Sequence, residues 1–544
     1  MERIGQQEPS RPFEFVLILM VFFIAGGAPA PHVNETQYLA KAKHYWDASF
    51  CPSDTFLDTA DAHLVFYWTV GWLTKFFSLE ATAWIGRALS WGLLAFAWQR
   101  LALAVAPVRW TAVLGAALFP TLIAWGNFAG EWVIGGVEAK CFAYGFFLLG
   151  MTAMVENRWP ATWIWLGLAS AFHPLVGGWA VLGSWFVLAT IDKSDRPNAR
   201  SAALGLIVGG LLAVPGLLFT LTLNFGTSSE VRAEAAEIYV FERLPHHLAP
   251  LELKPSELAK KAMRFSWLMA AMLVVWLAGR RQSENWDGEE QRHDGLRRLI
   301  MFAVFSVGAS IVGLAFERLL VGNREFAAQV LRYYWFRQAD VAVPLAVATG
   351  VGLLTLQLSQ GSRSWLSGLL VFAAICGSCA HLGGTALARW KTKTPPAIKK
   401  MKSTEDWRDA CSWIRENTPE RAIFLVDRHA QSFKWYAHRG DVANWKDIPQ
   451  DAKGIVDWFD RCQKLYAPDR RGRTVSVLAK QRSQTLIDTA TEYDATHLLT
   501  RKKPTLPFTV LHENETYAVY KLPKARTNQD AETTQQPQMN SDKR

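Results

Sequence analysis

The stretch between Val33 and Tyr67 concentrates side chains that can do chemistry in a chain that is otherwise strongly apolar. Its five carboxylates and two histidines are Glu35, Asp47, Asp54, Asp58, Asp61, His44 and His63. The stretch directly follows the first hydrophobic segment, so these acids lie close to a bilayer. Acids near a bilayer lose solvation and are kept where they face water, a metal or a substrate. A carboxylate at the membrane surface can take a proton from an attacking hydroxyl group.

Composition places the chain among membrane proteins. Half of its 544 residues are hydrophobic and 19% are charged, below the roughly 25% of soluble domains. The 25 tryptophans suit the two membrane–water interfaces. The net charge is +10, but arginines cluster in short loops between apolar runs, so we predict no nucleic-acid partner. Six cysteines form no disulfide framework, and Cys376 and Cys379 are interpreted as buried small hydrophobes.

Eleven apolar runs are interpreted as transmembrane helices, at about 17–25 residues per span. They cover residues 13–30, 82–105, 110–127, 137–155, 160–172, 175–191, 202–222, 263–279, 299–317, 339–357 and 364–388. The first run could instead be a signal peptide, because Ala28-Pro29-Ala30 places small residues before a potential cut. The many later spans favour a retained anchor.

The distribution of arginine predicts the topology. With residues 1–12 in the cytosol, the short inner loops hold an excess of arginine, as the positive-inside rule requires. Those loops are residues 100–109, 156–160, 192–200, 280–298 and 359–365. Residues 63–79 are short and contain Lys75, so we interpret them as interfacial or half-inserted. A full crossing there would move every later loop to the other side.

Polar residues then collect on the outer face. The outer segments are the first loop (residues 31–81), residues 130–140, 224–262 and 317–340, and the turn at His173. We assign residues 13–390 to the transmembrane domain.

The composition changes after Arg389. Residues 391–403 are predicted to be a basic linker, 404–525 a small extracytoplasmic α/β domain, and 526–544 a disordered polar tail. Helices are predicted over 404–417, 449–466 and 475–492, with Thr404 as the N-cap of the first. Strands are predicted over 422–426, 496–500, 508–512 and 516–522, the last two joined by a hairpin turn at 513–515.

Several short motifs resemble the GT-C class of integral membrane glycosyltransferases. Asn34-Glu35-Thr36-Gln37-Tyr38, followed by Ala40 and Ala42, resembles the start of the family's first loop. Ala62-His63-Leu64 through Trp68, and then Glu80 to Arg87, resemble its juxtamembrane H-P-P-L helix, here without the prolines, and the arginine-containing span that follows it. Val137-Glu138-Ala139-Lys140 resembles its second-loop acidic position, and residues 413–419 resemble the opening helix of its C-terminal domain. A W-W-D-like signature is missing, which argues against an oligosaccharyltransferase proper.

The resemblance implies a polytopic α-helical membrane protein of a bacterial inner (cell) membrane, with a small C-terminal α/β domain. It implies a mannosyltransferase-like enzyme of hexosyltransferase type that uses a polyprenyl-phosphate sugar as the lipid-linked donor and leaves the acceptor open. A carboxylate would act as base, while arginine or a divalent cation would assist phosphate departure.

The candidate catalytic residues are Glu35 and Glu138. The candidate substrate-binding residues are Asp47, Asp54, Glu131, His173, Arg243, His246, His247, Arg332 and Arg337, and no metal ligand is assigned. Each has a plainer interpretation: Glu35 could solvate a helix start, His173 could be a helix cap, and the arginines could anchor the interface.

Two other functions stay open at this stage. One is a non-catalytic GT-C-related membrane protein that binds lipid or glycan. The other is a secondary transporter, which requires mid-membrane charges and two matching halves. The sequence shows few such charges and no internal symmetry, so the transporter is the weakest of the three hypotheses.

Overall fold

The computed structural model describes residues 11–280, 290–360, 364–468 and 472–523. It divides the chain into two compact units: residues 1–46, 60–397 and 450–456 form the first, and residues 47–59, 398–449 and 457–544 the second. The cytosolic segment up to residue 10, parts of the predicted inner loops 280–298 and 359–365, and the polar tail 526–544 lie outside the described residues.

The first unit is helical. Up to residue 190 its helices are α1 (Arg11–Gly26), α2 (Glu35–Trp46), α3 (Leu64–Trp68), α4 (Leu79–Val105), α5 (Thr111–Gly126), α6 (Ala139–Val155), α7 (Trp159–Phe172) and α8 (Pro174–Thr190). Beyond it lie α9 (Ala199–Thr222), α10 (Ser229–Glu237), α11 (Pro245–Leu248), α12 (Pro255–Arg280), α13 (Glu290–Leu319), α14 (Arg324–Leu331), α15 (Arg337–Gln360) and α16 (Ser364–Lys391).

Apolar helices make the chain an integral membrane protein. In the described part, six are long and apolar enough to cross a membrane: Leu79–Val105, Ala199–Thr222, Pro255–Ala278, Asp294–Leu319, Arg337–Ser359 and Ser364–Lys391. Each of the eleven predicted runs overlaps one helix, but several of these helices are shorter, so the count of eleven crossings stays a prediction. Residues 63–78 contain α3 and a 3-10 turn over Gly71–Lys75, both too short to span, and Leu79 begins α4.

Small residues allow α7 and α9 to pack backbone to backbone. Gly205 and Gly209 of α9 are buried, and a Cβ atom at Gly209 would overlap the carbonyl oxygen of Trp163. Helices in a membrane associate through such close contacts because lipid tails provide no hydrophobic driving force between them. The neighbouring Gly210 has open space at its Cβ position, so the contact is specific to one face of α9.

The main apolar core of the first unit surrounds α4, α5, α6 and α15. Trp98 is fully buried there, stacks on Phe119 with ring centres 4.9 Å apart, and donates its indole N–H to the Ala112 carbonyl at 2.9 Å. The same core contains residues of α5, α6 and α15, and the charged residues at the ends of these helices lie close to one another.

The second unit contains a five-stranded mixed sheet. Its strands are β1 (Ile423–Val426), β2 (Gly440–Asp441), β3 (His497–Arg501), β4 (Thr509–Glu513) and β5 (Tyr517–Lys521), in the order β2-β1-β3-β5-β4. β1 is parallel to β2 and β3, whereas β5 is antiparallel to β3 and β4. The helices beyond residue 397 are α17 (Thr404–Asn417), α18 (Phe433–Ala437), α19 (Ala452–Leu465) and α20 (Ser483–Glu492).

The four predicted strands, the β4–β5 hairpin and α17 are confirmed, with Trp407, Ala410, Cys411 and Ile414 on the buried face of α17. In the first unit, Cys376 and Cys379 are exposed on α16, so their interpretation as buried residues is wrong. Two details of the second unit are also corrected. The N-cap of α17 is Ser403, whose hydroxyl accepts the Asp406 N–H at 3.2 Å. The helix predicted over 475–492 begins only at Ser483, because the Leu478 and Ala479 amides donate to Asp427 and Thr500 side chains instead.

The α7–α9 contact generates a stability prediction. We expect Gly209→Leu to lower the unfolding free energy by about 1–3 kcal/mol relative to Gly210→Leu, because overpacking forces two backbones apart. Both variants gain the same helix propensity, so Gly210→Leu is the matched control. Thermal unfolding in detergent measures the difference. Equal melting temperatures would show that the two helices do not pack closely at Gly209.

Candidate functional site

A buried group of charges lies where α5 joins α6. The Lys140 ammonium lies 2.8 Å from Glu131 Oε1 and 3.1 Å from Glu138 Oε1, and all three side chains are at least nine-tenths buried. Lys140 is in the first turn of α6, and the two glutamates are in the connecting loop. Buried charges are tolerated when they are paired and hydrogen-bonded, so each of these side chains requires the others.

Arg337 completes this group, which we call the charged cluster (Glu131, Glu138, Lys140 and Arg337). It is the first residue of α15, and its Nε lies 2.7 Å from Glu131 Oε2. The guanidinium packs over the ring of Tyr334, with 3.8 Å between its central carbon and the ring centre. Glu131 is therefore shared between two cations, and the cluster contains two acids and two bases.

The protonation state of Glu131 follows from these contacts. Burial alone would raise the pKa of its carboxyl group, but the charges of Arg337 and Lys140 outweigh that effect. The pKa of Glu131 consequently lies below its usual value, so this side chain is a carboxylate at neutral pH.

Partly exposed neutral side chains border the charged cluster. The Asn34 amide donates to Glu138 Oε2 at 2.7 Å, and Arg337 Nη1 lies 3.3 Å from His173 Nε2. His63 contacts the Tyr38 hydroxyl at 3.2 Å through its Nε2, and its ring centre is 6.1 Å from that of His173. These groups can accept and donate hydrogen bonds to the hydroxyl groups of a sugar.

Both of these histidines are neutral at physiological pH. Desolvation, with the nearby charges of Lys41 and Arg337, lowers the pKa of His63 to about 4. Desolvation and Arg337 also lower the pKa of His173 well below its usual value. Neither ring therefore adds positive charge beside Arg337.

Glu35 anchors the start of α2. It is fully buried and makes a bidentate pair with Arg87 of α4, with Nε–Oε1 and Nη2–Oε2 distances of 2.6 Å each. It also accepts the Val137 and His32 amides at 2.8 and 2.6 Å. Glu35 thus holds the residue that precedes Glu138. Both oxygens of Glu35 are thus engaged by four hydrogen-bond donors. Its role as the base stays a prediction.

His247 contacts the loop that carries Glu131. Its Nδ1 hydrogen-bonds the Ala129 carbonyl. Gly130 has a positive φ of +79°, and a Cβ atom there would lie 2.6 Å from His247 Cε1. Only glycine combines that backbone conformation with so close an approach. His247 therefore contacts the loop backbone, whereas its predicted contact with substrate stays untested.

The other predicted residues lie elsewhere. Arg243 ends a π-helical turn (Ile238–Arg243), His246 is exposed with its ring centre 4.1 Å from that of His247, and Arg332 is partly exposed beside Tyr333. Their predicted contacts with substrate stay predictions.

Asp47 and Asp54 belong to the second unit. Asp47 is exposed and accepts the Ser49 hydroxyl at 2.6 Å. Asp54 is fully buried, with its Oδ2 3.2 Å from the Lys434 ammonium. Asp441 and Asp447 approach the same ammonium at 2.7 and 2.8 Å. Asp54 therefore fixes residues 47–59 within the second unit, and it is not grouped with the charged cluster of the first.

Sequence reasoning missed several residues of the site. Arg87 stands in the arginine-containing span that carries part of the resemblance, but it was not chosen as a candidate site residue. Asn34, Tyr38 and His63 stand in the motifs that carry the resemblance, but nothing in the sequence predicts their contacts. Among the described residues, no group of three or more His, Cys, Asp or Glu side chains is arranged to hold a metal ion.

Comparisons with known proteins found a matching family model and several similar solved structures. DUF6798, a domain of unknown function, matches residues 405–465, which include Lys434, Asp441 and Asp447. Among solved structures, the chain is similar to ArnT from Cupriavidus metallidurans, crystallised with undecaprenyl phosphate. The identity is 14%, the match covers 94% of this chain and 97% of that one, and the TM-score is 0.38. No curated protein matched the sequence.

The Glu35–Arg87 pair gives a direct prediction. We expect Glu35→Gln to lower the unfolding free energy by about 3–5 kcal/mol, because it leaves the Arg87 guanidinium buried without its partner. The double variant Glu35→Gln/Arg87→Met should recover part of that loss. Glu80→Gln, at an exposed position of α4, is the control and should change the stability by less than about 0.5 kcal/mol.

Thermal unfolding of the purified protein in detergent measures all three variants. A Glu35→Gln variant with the wild-type melting temperature would contradict the anchoring role of Glu35.

Proposed function

We propose that this chain is a GT-C-type membrane glycosyltransferase that moves a sugar from a lipid-phosphate donor to an acceptor hydroxyl. The charged cluster carries the proposal, because it places two carboxylates and two cations at the ends of membrane helices. A lipid-borne phosphate sugar arrives at that depth. In this proposal all eleven helices cross the membrane, and both the cluster and the C-terminal unit face the extracytoplasmic side.

The cations of the charged cluster would assist the leaving group. When the acceptor oxygen attacks the anomeric carbon, the bond from that carbon to the phosphate oxygen breaks and the phosphate leaves with the electron pair. Arg337 offers planar, charge-assisted donors and Lys140 adds a second positive charge. Fixed charges in a site with little water stabilise such developing charge strongly. A divalent cation remains an additional cofactor to test.

Glu138 is the better placed of the two cluster carboxylates to act as the base. Glu131 is held by two cations, so its affinity for a proton is low. Glu138 faces one cation, Lys140, and the neutral Asn34 amide. Glu35, whose oxygens face Arg87, would position Glu138 through the Val137 amide. The acceptor proton would pass to Glu138 as the new glycosidic bond forms.

A non-catalytic protein that binds lipid or glycan is the alternative. One observation favours it: both carboxylates of the charged cluster already form ion pairs, as they would in a purely structural network. A binding protein would retain the lipid phosphate without consuming the sugar. Turnover therefore separates the two proposals.

The test is sugar transfer by the purified full chain in lipid nanodiscs, supplied with polyprenyl-phosphate sugars and with a membrane lipid extract as the source of acceptor hydroxyl groups, and assayed for released polyprenyl phosphate. We expect Glu138→Gln to lower turnover by about 10²- to 10⁴-fold, the range contributed by general acid–base groups. Glu234→Gln, at an exposed position of α10, is the control and should retain wild-type turnover.

Wild-type turnover in Glu138→Gln would remove it as the base. A wild-type protein that binds polyprenyl phosphate but transfers no sugar from any donor would favour the binding protein instead.

A further inference from the structure

The loop between α5 and α6 holds Glu131 without support from a helix or a strand, so its backbone amides need other acceptors. We propose that Asp340 supplies them and is a positioning residue: it fixes the backbone of residues 128–131 and thereby sets Glu131 between Lys140 and Arg337. The part of this inference that concerns catalysis rests on the proposed function. The structural part stands without it.

Asp340 binds three amides of this loop. Its Oδ1 accepts the Phe128 N–H at 2.8 Å, and its Oδ2 accepts the Ala129 N–H at 2.8 Å and the Glu131 N–H at 3.3 Å. Its side chain is buried, with 1% of its surface exposed. The Asp340 carboxyl group therefore accepts hydrogen bonds from three backbone amides of the loop, and both of its oxygens take part.

The same helix turn also holds the Glu131 side chain. Arg337 and Asp340 are three residues apart at the start of α15, so they lie on one face of the helix. Arg337 binds the Glu131 carboxylate, while Asp340 binds the amide of the same residue. A carboxylate in the first turn of a helix is favoured by the helix dipole. The first turn of α15 thus binds both the side chain and the backbone amide of Glu131.

Other contacts leave the loop little freedom to compensate. Asn127 closes it from within, donating to the Glu131 carbonyl and accepting the Gly130 amide. Lys261 donates to the Phe128 carbonyl at 3.2 Å. These contacts bind carbonyl groups or the Gly130 amide, so the amides of Phe128, Ala129 and Glu131 depend on Asp340. Loss of one of its acceptor oxygens should shift that side of the loop alone.

Amide hydrogen exchange and steady-state kinetics of the full chain in nanodiscs test the inference. In Asp340→Asn, an amide nitrogen replaces one acceptor oxygen and faces the loop donors. We expect the Phe128 and Ala129 amides to exchange at least about tenfold faster, with the melting temperature and the exchange of other helices unchanged. We expect kcat to fall at least about tenfold, because Glu131 no longer holds the two cations in place. Such a change equals roughly 1.4 kcal/mol of barrier.

Two further variants complete the experiment. Asp340→Glu keeps the charge with a longer arm, so it should restore amide protection and part of kcat even if Asp340→Asn folds poorly. Glu14→Gln is the matched control, since Glu14 is a buried carboxylate whose Oε1 accepts the Trp110 N–H at 2.9 Å at the other end of α5. It should leave kcat at the wild-type value.

The possible outcomes are distinct. Faster exchange throughout the helices, with a lower melting temperature and no rescue by Asp340→Glu, would reduce Asp340 to a general stabiliser and overturn the inference. Faster loop exchange with wild-type kcat and KM would overturn its effect on the reaction. If the wild type transfers no sugar, the proposed function fails, while the exchange data still decide whether Asp340 holds the loop.

Discussion

The sharing of one buried carboxylate between two cations constrains the first unit most strongly. Glu131 lies between Lys140 and Arg337, in surroundings where an unpaired charge would be very costly. The Glu131 carboxylate therefore has to be held in one position, because Lys140 and Arg337 both depend on it for an ion pair. This requirement explains why a loop without regular structure is held on several sides, and why Gly130 adopts a conformation that other residues avoid.

The pair of Glu35 and Arg87 extends the same logic. It is bidentate and fully buried, and it joins the start of α2 to α4 and to the loop that carries Glu138. Three connected features result: a rigid anchor, a charged cluster, and a partly exposed border of neutral histidines, tyrosines and Asn34. The anchor pairs its two charges with each other, and the histidines of the border are neutral. Lys140 and Arg337 are the two cations of the charged cluster. In the second unit, three aspartates surround the buried Lys434 ammonium and compensate its charge.

Much of the fold follows from the sequence because it depends on local pattern. Apolar runs predicted eleven helices of the first unit, whereas α2, α10 and α14 lie outside those runs. Alternating or amphipathic residues predicted α17 and four strands. The two-residue strand β2 and the short α18 were missed, since elements of that length carry no periodic signal.

The site was harder to predict from the sequence, because its contacts join residues far apart in the chain. Glu131, Glu138, His173 and Arg337 were chosen on residue type and predicted side of the membrane, and the structure joins them. Asp54 was chosen in the same way, but it packs with Lys434, which no local pattern indicates. Asp340 ends the fourth outer segment of the sequence, but a single acid near a helix start carries no pattern that distinguishes it from an ordinary capping residue.

The central claim is that the charged cluster binds a lipid-borne phosphate through its two cations. Equilibrium binding of polyprenyl phosphate and of the uncharged polyprenol to the wild-type protein in nanodiscs tests it most directly. The two ligands share the same hydrocarbon chain, so any difference in affinity reports the phosphate alone. We expect the phosphate to bind roughly 100-fold more tightly, as two charge-assisted hydrogen bonds would provide. Equal affinities for the two lipids would contradict the claim.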